Sequence, residues 1–464
     1  MLKQYSKYQL TEIPWDKDVP LHWDIKRGKT LFHNPKEINR NNTCKNVLSL
    51  TLRGVINNDI DRPIGLAPKS YDTYQVFKKD DLVFKLIDLE NISTSRVGLV
   101  HEDGVMSPAY IRLVAKNKED INIRYFYYQY YSLYLRNIYN GMGAGVRQTL
   151  SGTDLMNLSI LIPARNEQNM IVRFLDWKIS EMAHFVKEKR KEIKLLQELK
   201  LSLINTAVTR GIDANVELKD SGHAWIGHIP EHWDMLFSKK LFKLRRDKAL
   251  PNDEQLTSSQ KYGVISQKEY MNIENRRLTV VMTGEDILKH VEAGDFVISM
   301  RSFQGGIEYS HISGKISSAY IMLIPNNKLV FDRYFKWLLK SPSYIKALQG
   351  TSDLVRDGQA LRYSNFAKVY LPNIPLDEQE AIADYLDNIC PKIDEMIEAL
   401  RSEIRYIIEL RTKTIADVVT GKVDVRNVVI PEYEPETEVI DDSGEEAEDD
   451  SEEILEEEVN ENAD

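Results

Sequence analysis

Pro20-Leu-His-Trp-Asp24, followed by Leu31-Phe32, returns 210 residues later as Pro230-Glu-His-Trp-Asp234 with Leu241-Phe242. A repeat fixes the architecture before any single motif is weighed. Moving outward, Asp81-Leu-Val-Phe84 parallels Asp295-Phe-Val-Ile298, and Ser107, Ala109, Tyr110 and Ile111 return as Ser317, Ala319, Tyr320 and Ile321. Ile162-Pro163, Glu167-Gln168 and Leu175-Asp176 recur as Leu371-Pro372, Glu378-Gln379 and Leu386-Asp387; Val208-Thr209 recurs as Val419-Thr420. The chain is a doubled protein, and each copy has a mixed unit of short β-type runs followed by a helical stretch.

The helical stretches carry heptads. Leu175, Met182, Lys189, Leu196 and Leu203 are seven apart, as are Ile179, Val186, Ile193 and Lys200. Leu386, Ile393, Leu400, Ile407 and Thr414 alternate with Cys390, Ile397, Ile404 and Arg411 in the second copy. A narrow apolar seam of this kind suits helix pairing. The alternative is two amphipathic helices, each packed on its own domain; the matched copies favour mutual pairing. Either orientation is sterically possible across the intervening domain; a pseudo-twofold molecule with one head at each end requires the antiparallel one. Pro391 is expected to kink or restart its helix.

The predicted class is therefore α+β: two mixed α/β domains joined by two long helices that pair as a coiled coil, antiparallel if the internal repeat is a pseudo-twofold. The expected limits are 1–165 and 213–374 for the domains, 166–212 and 375–425 for the helical spacers, and 426–464 for an acidic disordered tail. A helix of about 40 residues spans roughly 60 Å. Heads spaced by it suit half-sites about 10 base pairs apart.

Charge is unevenly distributed. The 464 residues carry a formal −10, but 18 acidic residues and no Lys or Arg lie between Glu432 and Asp464. Removing those 18 from the 71 acidic residues leaves 53 against 61 basic ones, so residues 1–431 carry +8. A mildly basic body suits nucleic acid. The tail reads as a disordered, solubilising segment, or as a DNA mimic that competes for the heads.

No window approaches the length of apolar run needed for a membrane span, and no secretory signal is visible. Cys44 and Cys390 stand far apart with no neighbouring metal-ligand spacing, which fits a reducing cytoplasm and gives no structural metal.

Candidate DNA contacts lie where strands leave each core: Lys85, Asn91, Ser93, Ser95 and Arg96 in the first copy, Ser299, Arg301, Ser302, Gln304 and Lys315 in the second. Arg reads guanine, Gln or Asn reads adenine, and Ser serves bases or phosphates, although surface loops carry these residue types too. A second loop precedes each spacer and shares Val-Arg, Gln and Leu, offering Arg147 with Gln148 and Arg356 with Gln359. Gly141, Gly143 and Gly145 lack the strand that a dinucleotide loop follows. The aromatic run Tyr125 to Tyr139 is expected to be core rather than a base-stacking platform, and Trp23 and Trp233 to be structural anchors.

Catalytic motifs are missing from the sequence. There is no phosphate-binding lysine loop and no nuclease spacing of acids before a lysine; Asn34-Pro35 continues with Lys36 instead of the Pro-aromatic pair of amino methylases.

The Pro-x-His-Trp motif, the Glu-Gln-opened helix and their repetition over residues 10–428 resemble the specificity subunits of Type I restriction-modification systems. That resemblance implies a non-catalytic subunit with two target-recognition domains, each reading one half of a bipartite double-stranded DNA target, joined by two helices that form an antiparallel coiled coil. It implies two modification subunits that bind S-adenosylmethionine and methylate adenine, and restriction subunits that use ATP. No cofactor is expected on this chain. Two other readings stay open: a coiled-coil adaptor whose heads bind proteins, and a fused enzyme.

Overall fold

The computed structural model describes residues 3–59, 62, 68, 70–89, 95–143, 148–275, 287–299, 302–351 and 362–436. The chain divides into two compact units, and they do not follow chain order. One contains Met1–Lys191 with Leu400–Asp464, the other Glu192–Ala399.

The repeat read from sequence is a repeat of topology. In the first unit a four-stranded antiparallel sheet runs Phe32–His33, Ile111–Ala115, Leu82–Phe84, Val97–Leu99. In the second the order is Phe242–Leu244, Ile321–Pro325, Phe296–Ile298, Glu308–Tyr309. The registers match: Leu82 faces Leu113, and Phe296 faces Leu323. Central strands Leu82–Phe84 and Phe296–Ile298 are buried on both faces, which explains why they read as continuous apolar runs without alternation. Around each sheet sit the same accessory hairpins, Leu48–Thr51 with Gly54–Asn57 and Leu256–Ser259 with Gly263–Ser266.

The aromatic run forms the helix Ile123–Leu135, with Tyr125, Phe126, Tyr128, Tyr130 and Tyr131 buried, as expected of a core face. Phe126 meets Phe32 edge to face at 5.4 Å; in the second unit Phe335 meets Phe242 at 5.3 Å.

The Trp motif and the Glu-Gln pair converge because Asp24–Arg27 pairs with Ser159–Ile162, the strand leading into the first spacer helix. Glu167 accepts hydrogen bonds from the Trp23 indole N–H at 3.1 Å and the Tyr5 hydroxyl at 2.6 Å, and lies 2.9 Å from His22 Nε2. Glu378 receives the Trp233 N–H at 3.0 Å and lies 2.8 Å from His232 Nε2. Gln168 accepts from the Asn122 amide, as Gln379 does from the Phe331 amide, each at 2.8 Å. Trp23 and Trp233 are thus buried anchors, as expected.

The two spacers are the helices Arg165–Arg210 and Leu376–Val419. The second continues through Pro391, so of the expected kink or restart the restart does not occur. The proline faces solvent, while Cys390 and Ile393 beside it are buried. Each helix ends on a left-handed glycine, Gly211 (φ +76°) and Gly421 (φ +74°). A Cβ at Gly421 would fall on Pro20 and the edge of Trp23, and one at Gly211 would lie 3.5 Å from Trp233.

Every seam position of both heptads is at least half-buried. Within the first unit, Ile171 and Leu175 share a core with Ile415, Val418 and Val419, and further along Lys189 pairs with Glu403 at 3.0 Å. Within the second, Ala207 and Val208 share a core with Ile382, Ala383 and Leu386, and Lys200 pairs with Asp394 at 2.6 Å. The polar seam residue Arg411 bonds the Tyr131 hydroxyl at 3.0 Å.

Part of the predicted tail is placed against the first unit. Ile430 packs on its core, and the Ser180 hydroxyl donates to the Glu434 carbonyl at 2.9 Å. No helix among the described residues is long and apolar enough to cross a membrane, and no group of His, Cys, Asp and Glu among them is placed to hold a metal.

Candidate nucleic-acid interface

Lys85 leaves the central strand of the first sheet half-buried, its amide bonded to the Arg96 carbonyl at 3.0 Å. Burial pushes the Lys85 ammonium down, and the neighbouring Arg96 charge adds to that; Arg96 is itself pushed down by burial. The Asp88 carboxylate opposes both shifts, so the two cations already share one anionic neighbour. Arg96 is buried and donates to the Asp88 carbonyl at 2.9 Å. Ser95 is buried too, with its hydroxyl on the Val97 carbonyl at 2.8 Å.

The two candidate loops of this copy, some sixty residues apart in sequence, lie side by side. Leu150 donates its amide to the Leu86 carbonyl at 2.9 Å, and Asn140 donates its side-chain amide to the Leu89 carbonyl at 3.1 Å. Gln148 sits in this ladder, half-buried, with a left-handed backbone (φ 40°). Asn91, Ser93 and Arg147 lie outside the described residues.

In the second copy, Ser299 and Ser302 are buried and make a turn in which the Ser299 amide donates to the Ser302 hydroxyl at 2.9 Å. Gly306 (φ +84°) closes that turn against the Leu339 carbonyl, where a Cβ has no room. Gln304 is exposed on the short helix Ser302–Gly305. Lys315 stands apart from this turn, on the strand Gly314–Ile316, with its amide on the Glu254 carbonyl at 2.8 Å. Arg301, Arg356 and Gln359 lie outside the described residues.

Sequence reasoning passed over the accessory hairpins, whose turns expose Arg53 in one copy and Lys261 in the other. The available signal was alternation around a glycine, Leu48-Ser-Leu-Thr51 to Gly54-Val-Ile-Asn57. Gly98 lets the first hairpin sit on the sheet: a Cβ there would overlap Leu50 and Val55.

Behind each sheet lies a buried carboxylate with an arginine, supplied from different strands. Asp81 takes Arg112 Nε at 2.6 Å, from the strand Ile111–Ala115. Asp295, in the equivalent turn, takes Arg245 Nε at 2.5 Å and Nη2 at 3.0 Å. Met322 stands where Arg112 would be, and Arg245 follows the neighbouring strand, its amide on the Met322 carbonyl at 2.9 Å. These ion pairs brace the heads from within.

Comparisons with known proteins bear on both copies. The model of the Type I restriction modification DNA specificity domain matches residues 23–195 and again 230–406. The Type I restriction enzyme MjaVIII specificity subunit of Methanocaldococcus jannaschii is 25% identical over 341 residues, covering 70% of this chain and 76% of the relative. A chain solved in work on complex assembly and conformational transition of the type I R-M system superposes with a TM-score of 0.61 at 15% identity, covering 87% of this chain and 99% of that one. The HsdS subunit from Thermoanaerobacter tengcongensis, 14% identical, gives 0.46 over 90% and 100% of the two chains. Two family matches, one on each copy of a duplicated fold, place this chain in the Type I restriction-modification DNA-specificity family.

Proposed function

We propose that this chain chooses the DNA sequence for a Type I restriction-modification enzyme, each head reading one half of a bipartite double-stranded target. The observation that carries the proposal is the duplication itself: the same sheet order twice, with a family match on each copy. The limits 1–165 and 213–374 for the heads, 166–212 and 375–425 for the spacers belong to the same proposal, with the acidic remainder from 426.

The spacer helices are proposed as an antiparallel coiled coil. Support comes from each unit separately, where rising numbers on one helix meet falling numbers on the other: Leu175 with Ile415 and Lys189 with Glu403, then Lys200 with Asp394 and Val208 with Ile382. Their surface is proposed to dock two modification subunits, and restriction subunits in turn. S-adenosylmethionine and ATP belong to those partners, which work where the cell's DNA is, in the cytoplasm. Adenine methylation needs the base turned out of the duplex, so this chain's part is to position the DNA.

The residues proposed for DNA binding, the accessible ones as contacts and the buried ones as supports of their loops, are Lys85, Asn91, Ser93, Ser95, Arg96, Arg147 and Gln148 in one head, and Ser299, Arg301, Ser302, Gln304, Lys315, Arg356 and Gln359 in the other. The adjacency of the two loops in the first head supports grouping them. Ser95, Arg96, Ser299 and Ser302 are buried and contribute by shaping their loops. Gln304 is exposed, and Lys85, Gln148 and Lys315 are partly so.

The test maps methylated adenines in cells that express the modification partner, with and without this chain. A bipartite motif that vanishes on deletion, and of which one half changes when one head is exchanged, supports the proposal. Unchanged methylation with active partners overturns it in favour of the adaptor.

A further inference from the structure

The helix-facing side of the repeat differs in charge between the copies, and the described part of the acidic tail corrects the difference. On the first spacer, Arg173, Trp177, Ser180, His184 and Lys187 follow helical spacing along one face. With the Glu-Gln pairs aligned, the same positions of the second spacer are Asp384, Asn388, Pro391, Glu395 and Glu398. The first set is basic and the second acidic, where Arg333 pairs with Asp384 at 2.9 Å and the acidic character rests on Glu395 and Glu398.

Among the described residues, a strap lies on the basic face. The Ser180 hydroxyl donates to the Glu434 carbonyl at 2.9 Å and accepts the Glu436 amide at 2.6 Å. Lys187 Nζ lies 2.8 Å from the Glu436 carboxylate, and His184 Nε2 lies 3.1 Å from the Glu434 carbonyl. Arg173 and Asp176 border a cleft with Ile430 to Tyr433. Pro391, in the place of Ser180, has no hydroxyl or N–H with which to clip such a strap. Glu432 and Glu434 remain exposed once the strap is seated.

We propose that Ile430–Glu436 is part of a docking face: its carboxylates give the first spacer an acidic surface like the one that Glu395 and Glu398 give the second, so one protein with a basic contact surface docks on both copies. This rests on the reading above that two identical modification subunits bind the spacers. A single partner surface cannot match faces of opposite charge, because like charges set together cost several kcal/mol. The strap removes that conflict.

The experiment weighs complexes of the full chain and the purified modification subunit by native mass spectrometry, with affinities from titration. Glu432→Gln, Glu434→Gln and Glu436→Gln together, folding checked by circular dichroism, should leave one subunit tightly held and weaken the second about tenfold or more. A chain ending after Glu436 should still bind two. Two equally tight subunits on the neutralised strap overturn the inference alone, as does loss of the second subunit on removing only the residues beyond Glu436. No subunit bound by the unaltered chain overturns the partner reading itself, and the inference with it.

Discussion

The Trp23 indole N–H and the Glu167 carboxylate meet at 3.1 Å across 144 residues of chain, and Trp233 with Glu378 repeats the contact at 3.0 Å. The bond ties the start of each head to the first turn of the spacer that follows it. Carboxylate acceptors in dry surroundings make the stronger class of hydrogen bond.

Glu167→Ala leaves Trp23, which is 2% exposed, and the Tyr5 hydroxyl without their acceptor. The expected loss is about 2–4 kcal/mol in urea unfolding. Glu378→Ala should cost less, because its side chain is 26% exposed against 6% for Glu167 and water can replace it. Equal losses would show that solvent does not decide the difference.

Arg112→Met installs the residue found at the matching place of the second copy, but strands Asp81, whose carboxyl burial already pushes up. A loss of about 3–5 kcal/mol follows from an unpaired buried charge. Adding Pro35→Arg, the position matching Arg245, should recover part of it. Additive losses in the double variant would rule out the exchange of strands.

Asp424 is held below the usual carboxylate range by its hydrogen bonds from Arg426, with burial opposing. A depressed folded value means stability present above the unfolded carboxyl value and lost as pH falls through the folded one. Asp424→Asn should therefore melt below the parent at neutral pH, with the gap closing under acid conditions. A gap that stays constant with pH in melting curves rejects this account.

Ser302→Ala removes a buried hydroxyl that accepts the Ser299 amide, at a cost of about 1 kcal/mol in thermal unfolding, and should leave the methylated motif intact. Gln304→Ala, on an exposed side chain, should change stability by less than about 0.5 kcal/mol while altering one half of the motif. Motif sequencing separates the two.

Arg53→Ala and Lys261→Ala should each weaken DNA binding alike on all sequences and lower the salt dependence by about one unit, as expected for phosphate contacts. Binding titrations at several salt concentrations check this. An unchanged slope places those hairpins away from the DNA.

The sequence alone determined the doubling, the two kinds of part in each copy, and the buried side of each spacer. Repeated Trp contexts and seven-residue spacing record which residues are shielded, and shielding is what periodicity encodes. The partner that shields a face is a different matter. Only tertiary structure decided that Glu167 serves Trp23, that Arg245 takes over the task of Arg112 from an adjacent strand, and that loops sixty residues apart share one ladder. It also decided that each spacer divides between the two compact units, and that part of an acidic tail lies on a helix. These are contacts between distant segments, set by packing shape and by the need of buried polar groups for partners, and no local pattern carries them.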